Sequence, residues 1–259
     1  MSIDFHDTKN AQTYAQRGVD ESWVEAITAL VAPHGKRVAD IGCGGGIYSK
    51  AWAELGASRV VGVDFSAAML GAARATCDGL VNVSFVQGDA LAAGLPDASA
   101  DIVFERALLH HLSDIPAAVR EAARILAPGG IYLAQDRAPD DMRLPGSPQN
   151  IRNYFHERFP RLLEVELRRR PRGEDVRAAI AQAGFTNIGE RTFWEVRRVY
   201  PDADALAADL AARVDRSILH ELSDDELADL IAYVRARLPA TGPIVDSSRW
   251  TLWSGTRPR

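Results

Sequence analysis

The chain has little cysteine, no long apolar run and no surplus of positive charge, and each shortage removes a class of protein. Cys43 and Cys77 are the two cysteines in 259 residues, too few for a disulfide framework or a cysteine-based zinc site. No stretch reaches the roughly 18 uncharged apolar residues that span a bilayer. The opening Met1-Ser2-Ile3-Asp4-Phe5-His6-Asp7 lacks the basic segment and apolar run of a secretion signal. Lys and Arg number 30 against 35 Asp and Glu, a net charge of −5, so no whole-chain field draws in nucleic acid. These absences lead us to expect a soluble cytoplasmic protein with no membrane contact and no metal site.

Hydrophobic residues make up 47% and charged ones 25%, the balance of a globular chain. Between residues 20 and 135 the pattern alternates as βαβ units with a parallel sheet do. Lys36 to Ile41 reads as a buried strand, Ile47 to Leu55 as a helix stopped by Gly56, and Arg59 to Val63 as a second strand. Ser66 to Ala75 is a helix with Ser66 as its N-cap. Val83–Val86 and Asp101–Phe104 are further strands, Ile115–Leu126 a crossover helix and Ile131–Gln135 a fifth strand. Residues 139–172 interleave Pro139, Pro145, Pro148, Pro160 and Pro171 with Tyr154, Phe155 and Phe159. So long a segment reads as a lid insertion. Then come a helix at Gly173–Ala183, a strand within Phe185–Val196, a helical insertion at 202–238 and a terminal strand at Arg249–Trp253. The economical organisation is one domain, 1–259, with a helical cover at 1–34 and a core at 36–135.

Asp40-Ile41-Gly42-Cys43-Gly44-Gly45-Gly46 ends a strand and opens a helix. Glycine permits positive φ and close approach of a ligand, and a helix N-terminus offers free N–H groups. The alternative is a tight βα turn with no ligand. The dinucleotide fingerprint wants a third glycine where Ile47 stands, which weakens the case for NAD. Asp64 follows Val60-Val61-Gly62-Val63 and sets a carboxylate at the carboxyl edge of the sheet, where it accepts the hydroxyls of an adenosine ribose. Any adenosine cofactor would use this pair of features.

Five ordered motifs then carry a more specific resemblance. Val38 to Gly46 resembles the first motif of class I S-adenosylmethionine-dependent methyltransferases, and Gly62-Val63-Asp64-Phe65-Ser66-Ala67-Ala68-Met69-Leu70 the second. Val86-Gln87-Gly88-Asp89-Ala90 is similar to the third, Asp101 to Leu112 to the fourth, and Arg124 to Gly130 to the turn before the fifth strand. The resemblance implies a doubly wound seven-stranded sheet, mostly parallel with the last strand antiparallel, and helices on both faces. It also implies S-adenosylmethionine as cofactor. Carried over by position, Asp40, Gly42, Cys43, Gly44 and Gly46 border the methionine moiety. Asp64 holds the ribose, Phe65 and Met69 lie beside the adenine, and Gly88, Asp89 and Ala90 meet its edge. Glu105 and Arg106 line the methionine end; Arg106 departs from the smaller residues commoner there. Tyr14 and Arg17, in a helical cover, touch the methionine carboxylate.

His110 and His111 are the first candidates for a general base, which is needed where the accepting atom carries a proton; packing or capping is the other role for either. Tyr154, in the lid, is a further catalytic candidate, with His156, Glu157 and Arg158 beside it. Arg168-Arg169-Arg170-Pro171-Arg172 either attracts a phosphate or a nucleic acid or forms a solvated face. Glu105-Arg106-Ala107-Leu108 stands where methyltransferases of base amino groups carry Asp/Asn/Ser-Pro-Pro-aromatic, which demotes nucleic acid as a partner. The expected activity is methyl transfer from S-adenosylmethionine to a small-molecule acceptor, releasing S-adenosylhomocysteine, in a monomer or homodimer. Alternatives are an RNA or protein methyltransferase, a protein that binds the cofactor without methylating, and a nicotinamide oxidoreductase.

Overall fold

The computed structural model describes residues 19–213, 216–239 and 241–259. These fall into two compact units, one of 19–136, 171–191 and 251–259, the other of 137–170 and 192–250.

Five parallel strands organise the first unit: β1 (Arg37–Ile41), β2 (Arg59–Asp64), β3 (Val83–Gln87), β4 (Ala100–Arg106) and β5 (Leu126–Asp136). β6 (Thr186–Tyr200) and β7 (Ile244–Thr256) complete a seven-stranded sheet of order β3-β2-β1-β4-β5-β7-β6, with β7 antiparallel to β5. This is the doubly wound sheet that the sequence implied. Four successive residues of β1, Val38 to Ile41, are buried, which is why it reads as an unbroken apolar run: both faces of a central parallel strand are covered. The chain winds outward from β1 to β3 and returns on the other side at β4. The loops leaving β1 and β4 therefore diverge, and ligands of such sheets bind in the crevice this opens.

Helices α1 (Glu21–Thr28), α2 (Ile47–Glu54), α3 (Ala67–Thr76) and α4 (Ile115–Ile125) have clear local causes. Asp20, Ser66 and Asp114 each cap one, accepting hydrogen bonds from the main-chain N–H of Ser22, Met69 and Ala117 at 3.0, 3.3 and 2.8 Å. The indole rings of Trp23 and Trp52 and the ring of Phe104 meet edge-on with centroids 5.4–5.7 Å apart, a geometry worth about 0.5–1.5 kcal/mol per pair beyond burial. The Trp23 indole N–H donates to Gln135 at 3.0 Å, which ties α1 to the end of β5.

In the second unit the proline-rich stretch is helical: α5 (Pro139–Met142), α6 (Ile151–Arg158) and α7 (Pro160–Arg169). Pro139 and Pro160 stand in first helical turns, where the missing N–H has no partner to lose. α8 (Gly173–Gln182) returns to the first unit. α9 (Ala203–Ala211), a 3-10 turn at Ser217–Glu221 and α10 (Asp224–Arg235) follow β6, and with α6 and α7 they bury Phe155, Leu162, Leu206, Leu219, Leu230 and Val234. None of the helices among the described residues is long and apolar enough to cross a membrane.

A charged network lies inside this second core. Arg216 and Asp246, each about 1% exposed, pair at 2.6 Å, and the Tyr200 hydroxyl donates to Asp209 at 2.6 Å. Removing one member strands a buried charge, at a cost of about 3–5 kcal/mol. Asp246→Ala is therefore expected to lower the unfolding free energy by about that amount, measured by urea denaturation. An unchanged midpoint would show that the pair contributes nothing.

Candidate active site

The turn after β1 is built on backbone conformations that only glycine adopts freely. Gly42, Gly44 and Gly46 have φ of 71°, 52° and 82°. A Cβ on Gly46 would lie 2.9 Å from the Cα of Ala73, so this glycine lets the start of α2 press against α3. That is the packing task of the third glycine in the dinucleotide fingerprint, done here one residue before Ile47. A Cβ on Gly42 would lie 2.9 Å from Leu108, so at its first residue, before the two loops part, the turn has no room for a side chain. Among the described residues, a Cβ on Gly44 would meet nothing within 4 Å, which leaves room before the middle of the turn.

Asp64 fixes this turn. Its Oδ2 accepts the Gly44 N–H and its Oδ1 the Ser66 N–H, both at 2.9 Å. The carboxylate thereby joins the glycine turn, the end of β2 and the N-terminus of α3. Asp40 lies behind it, buried, accepting the Ser49 hydroxyl at 2.6 Å. Burial pushes its pKa up to about 7. Cys43 is buried against β2, and a Cβ on Gly62 would come within 2.9 Å of its sulfur. Burial raises its thiol pKa as well.

At the ends of β4 and β5 stands a second constellation. His110 lies in a 3-10 turn, Leu109–His111, and its Nδ1 meets the two oxygens of Asp136 at 3.0 and 2.8 Å. The main-chain N–H of His110 donates to the same carboxylate at 3.1 Å. Asp136 is fully buried. A carboxylate only accepts, so Nδ1 carries a proton, and in the neutral imidazole the lone pair is on Nε2. His111 is exposed and its ring lies 4.0 Å from that of His110. β1, β2, β4 and β5 are parallel and in register, so Gly42, Asp64, Arg106 and Asp136 all stand at one edge of the sheet.

Residues 39–134 match the family model described as a methyltransferase domain. They form a class I S-adenosylmethionine-dependent methyltransferase domain. The chain is 37% identical over 110 residues to malonyl-[acyl-carrier protein] O-methyltransferase of Serratia marcescens, 42% of each protein. It is 40% identical over 111 residues to ubiquinone biosynthesis O-methyltransferase of Cupriavidus pinatubonensis, 42% of this chain and 43% of that one. The matches thus span less than half the length of these two relatives. The crystal structure of YcgJ from Bacillus subtilis shares the fold, with a TM-score of 0.61 at 22% identity over 92% of this chain and 99% of that one.

Within the methyltransferase domain, the other candidate positions fall at several depths. Phe65 is exposed and Met69 buried. Asp89 is exposed and turns one oxygen back to the Leu91 N–H at 2.8 Å, and a Cβ on Gly88 would strike the Ala93 carbonyl at 2.6 Å. Arg106 lies over the Tyr48 ring, its guanidinium 4.2 Å from the centroid. Glu105 points to the opposite face, where it accepts the Tyr132 hydroxyl at 2.8 Å and is shut from solvent. Tyr154 belongs to the second unit, packed in its core beside Tyr233. Tyr14 and Arg17 lie outside the described residues. Among the described residues no three His, Cys, Asp or Glu side chains gather as metal ligands.

Asp136 escaped the sequence reading, which ended the fifth strand one residue too early, at Gln135. Its signal was a carboxylate at the carboxyl end of a strand adjacent to the one that precedes the histidine pair.

Burial pushes the Glu105 pKa up to about 7 against the hydrogen bond from Tyr132. The folded chain therefore holds this proton where the unfolded chain has lost it, and Glu105 weakens stability as pH rises from the ordinary carboxylate range toward 7. Glu105→Gln keeps the acceptor and removes the titration. Its stability relative to the parent is expected to climb by on the order of 3 kcal/mol across that range. Urea denaturation over a pH series measures this, and a pH-independent difference would show that Glu105 stays charged in the fold.

Proposed function

We propose that this chain transfers the methyl group of S-adenosylmethionine to a small-molecule acceptor, releasing S-adenosylhomocysteine, with His110 as general base. The observation that carries the reading is the pairing, at one sheet edge, of a glycine turn locked by Asp64 with a histidine oriented by a buried carboxylate. The open space before Gly44 and the fixed Asp64 carboxylate suit an adenosine ligand. Asp64 would take the ribose hydroxyls, Phe65 and Met69 the adenine, Asp89 and Ala90 its edge, and Gly42 to Gly46 with Arg106 the amino-acid end. The bound cofactor supplies an electrophilic methyl group on a sulfonium.

The chain's own task is to orient the acceptor and to remove its proton. With Nδ1 donating to Asp136, the His110 Nε2 lone pair is the group that accepts the proton as the oxygen or nitrogen of the acceptor attacks. The buried Asp136 then stabilises the imidazolium, as a carboxylate behind a histidine base does. The relatives named malonyl-[acyl-carrier protein] O-methyltransferase and ubiquinone biosynthesis O-methyltransferase support an oxygen acceptor.

Calorimetric titration with S-adenosylmethionine, S-adenosylhomocysteine and NADH in parallel tests the cofactor: binding of both sulfur ligands and not of NADH is expected, and binding of NADH alone overturns the reading. Asp64→Ala is expected to weaken S-adenosylhomocysteine binding by about 1–3 kcal/mol, roughly 5- to 150-fold in Kd. An unchanged Kd would sink the ribose assignment.

The base is tested with labelled cofactor and a panel of phenols, carboxylic acids and amines. His110→Ala is expected to slow turnover about 10²- to 10⁴-fold while cofactor affinity holds. Asp136→Asn is expected to lower kcat in the same direction by favouring the wrong tautomer. Full turnover in His110→Ala would remove the base.

A further inference from the structure

The end of the sheet remote from the ligand edge carries a hollow lined by three arginines. Arg120, Ala123 and Arg124 come from one face of α4, where positions three and four apart are neighbours. Arg257 follows β7, and Gly184 and Phe185 follow α8. All of them belong to the first unit. The hollow measures about 390 Å³, within the range of small-molecule sites. Thr256 pairs with Ile131 on β5, and Asp136 stands five residues further along that strand. Roughly 17 Å of strand therefore separates this place from the edge that bears Asp136.

The three guanidinium groups are held differently. Arg124 is tied down by carboxylates: its Nε and Nη2 donate to Glu121 at 2.8 and 2.7 Å, and its Nη1 to Asp97 at 2.5 Å. Arg257 is tied down by carbonyls, its Nη1 donating to the main-chain oxygens of Arg124 and Leu126. Its Nε and Nη2 have no partner among the described residues. Arg120 is exposed, with neither a hydrogen bond nor an ion pair among the described residues. No carboxylate among the described residues lines the hollow. Two positive charges thus face it without a counter-charge, on a chain whose net charge is −5. A helix terminus does not call for both. Arg257 already answers the carbonyls that end α4, and Arg120 stands four residues from Arg124, a like-charge spacing that destabilises a helix. The surface between the charges leaves room: Ala123 is small, Gly184 has a φ of 85°, and a Cβ there would meet nothing within 4 Å. The buried Phe185, packed on Tyr132 with ring centroids 5.6 Å apart, adds an apolar aromatic wall.

We propose that this hollow binds a phosphate monoester with an apolar body. Arg257 and Arg120 would donate to the phosphate oxygens, since the arginine fork matches phosphate geometry and charge-assisted bonds of this kind are the strong ones. The body of the ligand would lie against Phe185 and Ala123, surface that a bare phosphate ion leaves unused. Arg257 is already oriented by the carbonyls it caps, which lowers the ordering cost of association, and Arg120 is the arm that closes. The hollow is remote from Asp64 and His110, so the site stands or falls independently of methyl transfer.

The test is calorimetry of the full chain with phenyl phosphate, inorganic phosphate and benzyl alcohol at matched ionic strength. One phenyl phosphate per chain is expected, with a Kd of about 1 mM or tighter and at least about tenfold below that of inorganic phosphate. Benzyl alcohol is expected not to saturate. Arg120→Gln, which breaks no contact in the fold, is expected to weaken phenyl phosphate about tenfold. Excess S-adenosylhomocysteine is expected to leave its Kd unchanged. On the unsubstituted chain, the amide resonances of Gly184 and Phe185 should shift in step with phenyl phosphate. Absence of saturable binding, equal affinity for inorganic phosphate, parent-like affinity in Arg120→Gln, saturable binding of benzyl alcohol, competition by S-adenosylhomocysteine, or unmoved Gly184 and Phe185 amides would each overturn the proposal.

Discussion

Everything at the carboxyl edge of the sheet hangs on the two backbone hydrogen bonds that Asp64 accepts. Through Gly44 the carboxylate holds the turn after β1 in a left-handed conformation, and through Ser66 it fixes the start of α3. The close approach of Gly46 to Ala73 then sets the distance between α2 and α3. One side chain thus ties two loops and, through them, two helices. In the proposed complex the same oxygens face the ribose, so the group that binds is already oriented before the ligand arrives. Preorganisation of this kind lowers the ordering cost of association.

The His110–Asp136 pair shows the same economy at the neighbouring strand ends. Asp136 accepts from both the ring and the main chain of His110, so it sets the imidazole's position as well as its tautomer. The residue before it, Gln135, accepts from Trp23 and anchors the end of β5 to the aromatic core. An imidazole held through both its ring and its main chain needs little further ordering.

The parallel sheet was legible because each strand is an apolar run stopped by a turn signal, and because the glycine turn and the acid after β2 fall at spacings with a physical purpose. The 139–172 stretch was not. Its helices carry Arg152, Asn153 and His156 on buried faces, which erases the apolar periodicity that announces a helix, and its prolines look like breaks where two of them begin helices. Within the site, Asp40, Asp64 and His110 stood out as single residues. Their partners Ser49 and Asp136 did not, since the pairings join positions 9 and 26 residues apart that only the finished sheet brings together. Glu105 followed Phe104 in an apparent site motif, yet alternation along β4 turns it to the other face, toward Tyr132.

The aromatic block beneath the site makes the first unit optically self-reporting. Trp23 and Trp52 are wholly buried, Tyr48 packs 5.1 Å from Trp23, and the guanidinium of Arg106 lies over the Tyr48 ring at 4.2 Å. A charge that shifts at the edge of the sheet is therefore felt within two ring contacts by an indole whose N–H bonds to the strand bearing Asp136. Intrinsic emission in this unit is coupled by construction to the electrostatics of its ligand edge, with no introduced dye.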